Sequence, residues 1–476
     1  MEQKCPSPHP RGRPQVDDPS KTNISSLPLE LLQTIFLLVK PTRAYPFEIS
    51  QVCASWRALA LGTAELWSNI QIGSHSSSQS VSELMERSQQ RLLTIEVGPF
   101  VLNSVQGVLP SHVPAVNSVI MTHASRIQEM TLLGYPQGLL CRLFEERTAL
   151  SLRTLRINSV FVETNPPTPN FILGDCNFLT DRLRRLSIAD CRVDWNARLF
   201  HGLTHLRIRD LLDDNKPTLE EFFTVLKHIP AMEYLDLGYF LESSGDYGPS
   251  FPTVSPKISL PSLQTLRLWT DMDETASILS SLILPAIPKI QTRSYQSLEL
   301  GDGLECFDGI IEAVCEHYRT STESPPTQGG QLQNGLTLRS VRLRSVCRPC
   351  RFVLQAFDRV LSLDDISTKS SRQNHDPALD LNFDFDDQNW NMENELLLEL
   401  FYSLPLHNLV VLQLLGAFEF DHADEWAEVF GTTQTLQFVA VGESSSSSPF
   451  FKSLVYGLQS TTIPDRSKLP FPSFPQ

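Results

Sequence analysis

Two kinds of hydrophobic pattern divide the chain. From Leu27 to Trp67 the apolar residues recur at helical spacing. Leu27, Leu31, Ile35 and Val39 fall four apart, with Leu32 and Phe36 on the adjoining row, which predicts a helix with one broad apolar face. Pro28 suits a first turn, where its missing N–H costs nothing, and Glu30 favours the positive helix end. Pro41 and Pro46 end that helix. A second is predicted from near Glu48, with Ile49, Val52, Cys53, Trp56, Leu59 and Ala60 on one face and Gly62 as its stop. Leu66-Trp67 follows as a short apolar anchor. Two or three helices within about 40 residues cannot bury such faces alone, so a partner or the rest of the chain must cover them.

From about residue 90 the text changes to strand-like fragments of the form L-x-x-L-x-L. They begin at Leu92, Ile127, Leu152, Leu183, Leu203, Met232, Leu263, Tyr295, Leu338, Leu409 and Leu436. The first eight are separated by 35, 25, 31, 20, 29, 31 and 32 residues, which brackets the period of a leucine-rich repeat. Helix-like stretches lie between them, such as Thr218–Ile229 and Phe307–Tyr318. Strand, helix and strand at this period predict an α/β solenoid with a concave parallel sheet and outer helices. The array is irregular, because the 71 residues from Leu338 to Leu409 hold a degenerate or interrupted repeat. The expected organisation is a disordered leader over 1–23, a helical unit over 24–70, the repeat domain over 90–460 and a Pro-rich tail over 461–476.

Composition narrows the function. The 476 residues are 41% hydrophobic and 20% charged, ordinary for a globular protein, which argues against wholesale disorder. A net charge of −15 argues against a general nucleic-acid or anionic-membrane binder. No apolar run approaches the length of a membrane span, and the first residues lack the apolar stretch of a signal peptide. Nine scattered cysteines then read as reduced thiols, which places the chain in cytoplasm or nucleus.

The helical block resembles the F-box, in its divergent F-box-like form. The matching residues are Leu27-Pro28-x-Glu30-Leu31-Leu32-x-x-Ile35-Phe36, then Val52-Cys53-x-x-Trp56-Arg57-x-Leu59-Ala60, then Leu66-Trp67. In that family the block docks on the small adaptor of an SCF-type cullin–RING ubiquitin ligase, and the remaining chain, often leucine-rich repeats, presents a protein substrate. The resemblance implies a non-catalytic substrate-recognition subunit with Leu27, Pro28, Leu31, Ile35, Val52, Cys53, Trp56 and Leu59 in the adaptor contact. The alternative is a leucine-rich scaffold whose F-box-like helices only cap the solenoid.

Other signals are weaker. Cys347-x-x-Cys350 has metal-ligand spacing but no second pair to complete four ligands, so packing is the simpler reading. Asp384 to Glu395 imitates a calcium loop but has Asn389 where the sharp turn needs glycine. There is no P-loop, nucleophile elbow or H-E-x-x-H, so no enzyme, metal or cofactor is expected. Asp376 to Glu428 contains thirteen acids and no Lys or Arg. By contrast Arg156, Arg207, Arg267 and Arg342 stand between the last two apolar positions of four fragments. Arg209, Trp269 and Arg344 follow one pleat further. If the fragments stack, these side chains share one face and form a substrate surface for acidic or phosphorylated residues. Asp236 and Glu299 interrupt the row.

Overall fold

The computed structural model describes residue 24 and residues 27–39, 45–73, 76–98, 113–136, 151–160, 172–173, 182–242, 257–285, 288–295, 303–322, 338–347, 350–362, 376–385, 400–404, 406–416 and 435–441. The expected leader and tail, and most of the acidic segment after Phe385, lie outside them.

The N-terminal unit is α1 (Leu29–Leu38), α2 (Tyr45–Val52), α3 (Ala54–Gly62) and a single 3-10 turn, Ala64–Trp67. The helix expected from Glu48 to Ala60 is therefore two helices. Cys53 divides them because its extended backbone (φ −159°, ψ 171°) leaves its Sγ to cap α3, accepting from the Trp56 N–H at 3.5 Å. Pro46 does not end α1; it lies in the first turn of α2, where a proline lacks nothing.

The chain passes from the 3-10 turn almost directly into the first strand of a fourteen-stranded sheet, ahead of the boundary expected near residue 90. In chain order the strands are β1 (Asn69–Ile72), β2 (Leu93–Val97), β3 (Ile127–Pro136), β4 (Thr154–Val160), β5 (Ile172–Leu173), β6 (Arg185–Ala189), β7 (Arg192–Val193), β8 (His205–Arg209) and β9 (Tyr234–Gly238). There follow β10 (Ile258–Ser259), β11 (Thr265–Asp271), β12 (Leu282–Ile283), β13 (Lys289–Tyr295), β14 (Ser340–Cys347), β15 (Cys350–Phe357), β16 (Leu379–Asp384), β17 (Val411–Leu415) and β18 (Phe438–Val441). Strands β5 and β7, and β10 and β12, form two small parallel pairs outside the large sheet.

Within the large sheet β1, β2, β3, β4, β6, β8, β9, β11 and β13 lie side by side in chain order, all parallel. The order then inverts to β16, β15, β14 before β17 and β18. A plain succession of repeats does not describe this end. The two-residue connection between Cys347 and Cys350 permits only an antiparallel return, so β15 runs against both of its neighbours.

Ten of the eleven sequence fragments lie on strands of the large sheet. Their described apolar positions are buried apart from Leu92, which is exposed, and Val439, which is partly buried. The fragment expected to start at Tyr295 is displaced, because Tyr295 is the last residue of β13 rather than the first of a repeat.

Helices α4 (Ser78–Arg87), α5 (Val113–Thr122), α6 (Leu219–Lys227), α7 (Met272–Ser281) and α8 (Gly303–Thr322) share one continuous core with the apolar face of the sheet. In α8, Phe307, Ile310, Ile311, Val314 and Cys315 follow helical spacing, and the Phe307 ring lies 4.7 Å from Phe383 on β16. Thr218 caps α6, and a reciprocal capping box with Glu221 fixes where that helix starts.

Candidate binding surfaces

Two surfaces stand out, one apolar and one cationic. The three N-terminal helices close on a small core of Phe36, Ile49, Ala60, Leu66 and Trp67, with Trp56 and Leu59 half-buried against it. Trp67 is 1% exposed, donates its indole N–H to the Ala60 carbonyl at 2.8 Å, and has the Arg87 guanidinium 4.6 Å above its ring. Phe36 meets Trp56 edge-on at 4.9 Å. Arg57 ties α3 to α2 through the Ser50 carbonyl.

That core uses only one row of α1. Leu32 and Phe36 are buried, while Leu31 and Ile35 on the neighbouring row face solvent at 52% and 40% exposure. Val52 is 61% exposed, Pro28 and Cys53 are exposed, and Leu27, Trp56 and Leu59 are half-buried. Leu29, Leu37 and Leu38 add further exposed apolar surface. A ten-residue helix with five large apolar side chains in water is not the surface of a finished monomer.

Residues 24–72 match the family model of the F-box-like domain. This segment is an F-box-like domain. Domains of this type typically dock the small adaptor of SCF-type ubiquitin ligases, and proteins that carry them are generally non-catalytic. The match extends into β1, so the F-box-like domain is built into the end of the sheet. Leu84 of α4 packs against both cores, and Arg91 pairs with Glu65 at 3.0 Å. No match is found among curated proteins.

The second surface is the face of the sheet opposite the helices. Strand pairing places Arg156, Ser187, Arg207, Asp236, Arg267, Gln291, Asp380, Gln355, Arg342 and Gln413 in one continuous row. The four arginines expected at this pleat therefore share one line. Gln291 occupies the place expected for Glu299, as the displacement of the Tyr295 fragment requires.

Along much of the row the arginines already have partners inside the protein. Asp236, 1% exposed, accepts two hydrogen bonds from Arg209, at 3.0 and 2.7 Å, and one from the Tyr234 hydroxyl at 3.1 Å. Arg267 donates to Gln291 at 2.7 Å and to the Tyr234 hydroxyl at 3.0 Å. Arg342 donates to Gln413 at 2.6 Å. Arg209 lies over Trp269. These side chains are spent on cohesion, which narrows the expected anion surface.

Arg156 and Arg344 are exposed and have no hydrogen-bond or ion-pair partner among the described residues. Arg207 is half exposed and only touches Asp236, at 3.5 Å.

Sequence reasoning missed Arg185, exposed one pleat from Ser187, because it falls between the first two apolar positions of its fragment and not between the last two. Burial and the nearby Arg185 hold His205 below the usual imidazole range. Burial raises the Asp380 carboxyl. Asp384, first residue of the calcium-like segment, is a strand residue paired with Arg351 and Arg293; the segment beyond Phe385 lies outside the described residues. Cys347 and Cys350 are the last register partners of the β14–β15 pair. Among the described residues there is no group of three or more His, Cys, Asp or Glu arranged to hold a metal ion, and no helix long and apolar enough to cross a membrane.

Proposed function

We propose that the chain is the substrate-recognition subunit of an SCF-type ubiquitin ligase and carries no catalytic site of its own. The observation that carries this reading is the exposed apolar surface of α1 and α2 within an F-box-like domain. Leu31, Ile35 and Val52 would enter the adaptor contact, with Pro28 and Cys53 beside them and Leu27, Trp56 and Leu59 shared with the domain core. Burying such side chains is worth about 1.5–3 kcal/mol each, enough for a few of them to hold a partner.

The sheet would be a leucine-rich solenoid, irregular at β14–β16, with its polar face turned to a protein substrate. The reading draws support from the parallel strands laid down in chain order. It also draws on a recurring left-handed residue directly after the strand: Gly98, Asp190, Asp210, Tyr239 and Gly416 have φ of 106°, 52°, 50°, 47° and 113°. Work with the ligase would place the chain in cytoplasm or nucleus.

Retention of the purified SCF adaptor by the full chain tests the proposal. A chain that does not retain it leaves the second reading, a scaffold whose F-box-like domain serves as the cap of the sheet. The packing of Leu84 against both cores is the observation that favours that reading.

A further inference from the structure

On β4, β6 and β8 the polar face carries Arg156, Arg185, Arg207 and Arg209 and no carboxylate. Arg156 and Arg207 flank Ser187 in the same row, on the strands to either side of it. Neighbouring strands lie about 4.8 Å apart, so the two arginines stand roughly 10 Å from each other with the serine midway. Arg185 sits one pleat back on the serine's own strand and points to the same side. The side chains of Arg156, Arg185 and Ser187 have no hydrogen-bond or ion-pair partner among the described residues.

The nearest acids on this face belong to the adjacent strands. They are Glu129 on β3 and Asp236 on β9, and Asp236 is already occupied by Arg209 and Tyr234. Asp190 and Asp210 lie just beyond the strand ends, where burial and its neighbour Asp210 favour the neutral form of the Asp190 carboxyl. Two guanidinium groups without an ion-pair partner among the described residues, and a third, Arg207, touched only by Asp236 at 3.5 Å, surround one hydroxyl in a chain of net charge −15.

We infer that Arg156, Arg185, Ser187 and Arg207 form a seat for a phosphate monoester carried by a segment of the partner protein. A planar carboxylate satisfies one guanidinium fork and brings one charge. A phosphate monoester brings nearly two charges and three free oxygens, which three forks and a hydroxyl can meet together. The inference rests on the substrate-recognition reading for the partner's role, and it narrows the cationic row to its first three strands. Arg267 and Arg342 are excluded because Gln291, Tyr234 and Gln413 already hold them.

The test uses the full chain and a degenerate peptide pool with a fixed central phosphoserine, beside the same pool with serine or glutamate there. The phosphoserine pool should bind at least about tenfold more tightly than either control. Affinity should fall as salt rises. The Arg156→Gln, Arg185→Gln and Ser187→Ala variants should each weaken it several-fold, whereas Arg344→Gln on β14 should not. None of these side chains has a partner to lose, so thermal unfolding should stay at the wild-type temperature.

Equal binding of the three pools overturns the inference, as does a triple variant that binds like wild type. Inorganic phosphate or a single-stranded oligonucleotide binding as tightly as the phosphoserine pool also overturns it, by removing the protein-borne source. Adaptor retention is measured on the same variants. Its persistence while phosphopeptide selectivity is absent rejects the seat alone, and its absence in wild type rejects the ligase reading alone.

Discussion

The guanidinium carbon of Arg209 lies 4.0 Å above the Trp269 ring, although the two residues stand on strands separated by β9. Gly238 is the residue between them in the register, and its missing side chain opens the passage. A Cβ there would meet the Trp269 Cβ at 3.3 Å and the Arg209 Cγ at 3.6 Å. The stacked pair gains from the cation–π attraction and keeps Arg209 in place for its bonds to Asp236.

Gly238→Val should therefore push Arg209 off the ring. A loss of about 1–3 kcal/mol is expected in urea unfolding, with altered tryptophan emission, and Gly238→Ala should cost less. Wild-type stability in the valine variant contradicts this role for the glycine.

Asp236 is the anchor of the row. Replacing it with alanine leaves Arg209 partly buried without its anion and removes the acceptor of Tyr234. The expected destabilisation is about 3–5 kcal/mol. Phosphopeptide binding at Arg156 should survive under conditions where the variant remains folded.

Glu274 supplies a pH signature. Burial first, then the nearby Asp271 and Asp273, raise its carboxyl to about 8 against the opposing pull of Lys216. Between its ordinary value of 4.5 and about 8, the unfolded chain ionises this group while the folded chain keeps the proton. Stability contributed here is thus present at low pH and is lost as pH rises through that window. Glu274→Gln should match wild type near pH 4.5 and exceed it by about 5 kcal/mol near pH 8.5, as read from unfolding midpoints at both values. An identical pH dependence in the two proteins contradicts it.

Much of the sheet was legible because its inward residues alternate with period two, and the shared motif aligned Arg156, Arg207, Arg267 and Arg342 before any strand was placed. Strand β13 was mislaid for a physical reason. Its inward residues after Ile290 are Thr292 and Ser294, and Ser294 is satisfied by a buried hydroxyl chain through Thr275 to Thr270, not by apolar packing. Strand β15 escaped the motif because the return at Cys347–Cys350 reverses its direction, and β16 because Asp376 stands three residues before Leu379, where the motif has an apolar residue. In α1 the pattern gave one broad apolar face, yet no periodicity decides that Leu32 and Phe36 turn inward while Leu31 and Ile35 stay out. The partners of the arginines were likewise invisible. Arg209 and Asp236 are 27 residues apart and meet only through the pairing of β8 with β9.

On the ligase reading, the apolar surface left uncovered on α1 and α2 is the adaptor contact. Its most direct test is binding of the purified SCF adaptor to the full chain and to a Leu31→Asp, Val52→Asp double variant, with thermal unfolding followed on both. Because both side chains are more than half exposed, the variant should unfold within about 0.5 kcal/mol of wild type. Adaptor affinity should fall by at least about a hundredfold, as expected when two apolar contacts are replaced by unpaired buried charges. Undiminished adaptor binding by the folded double variant contradicts the account.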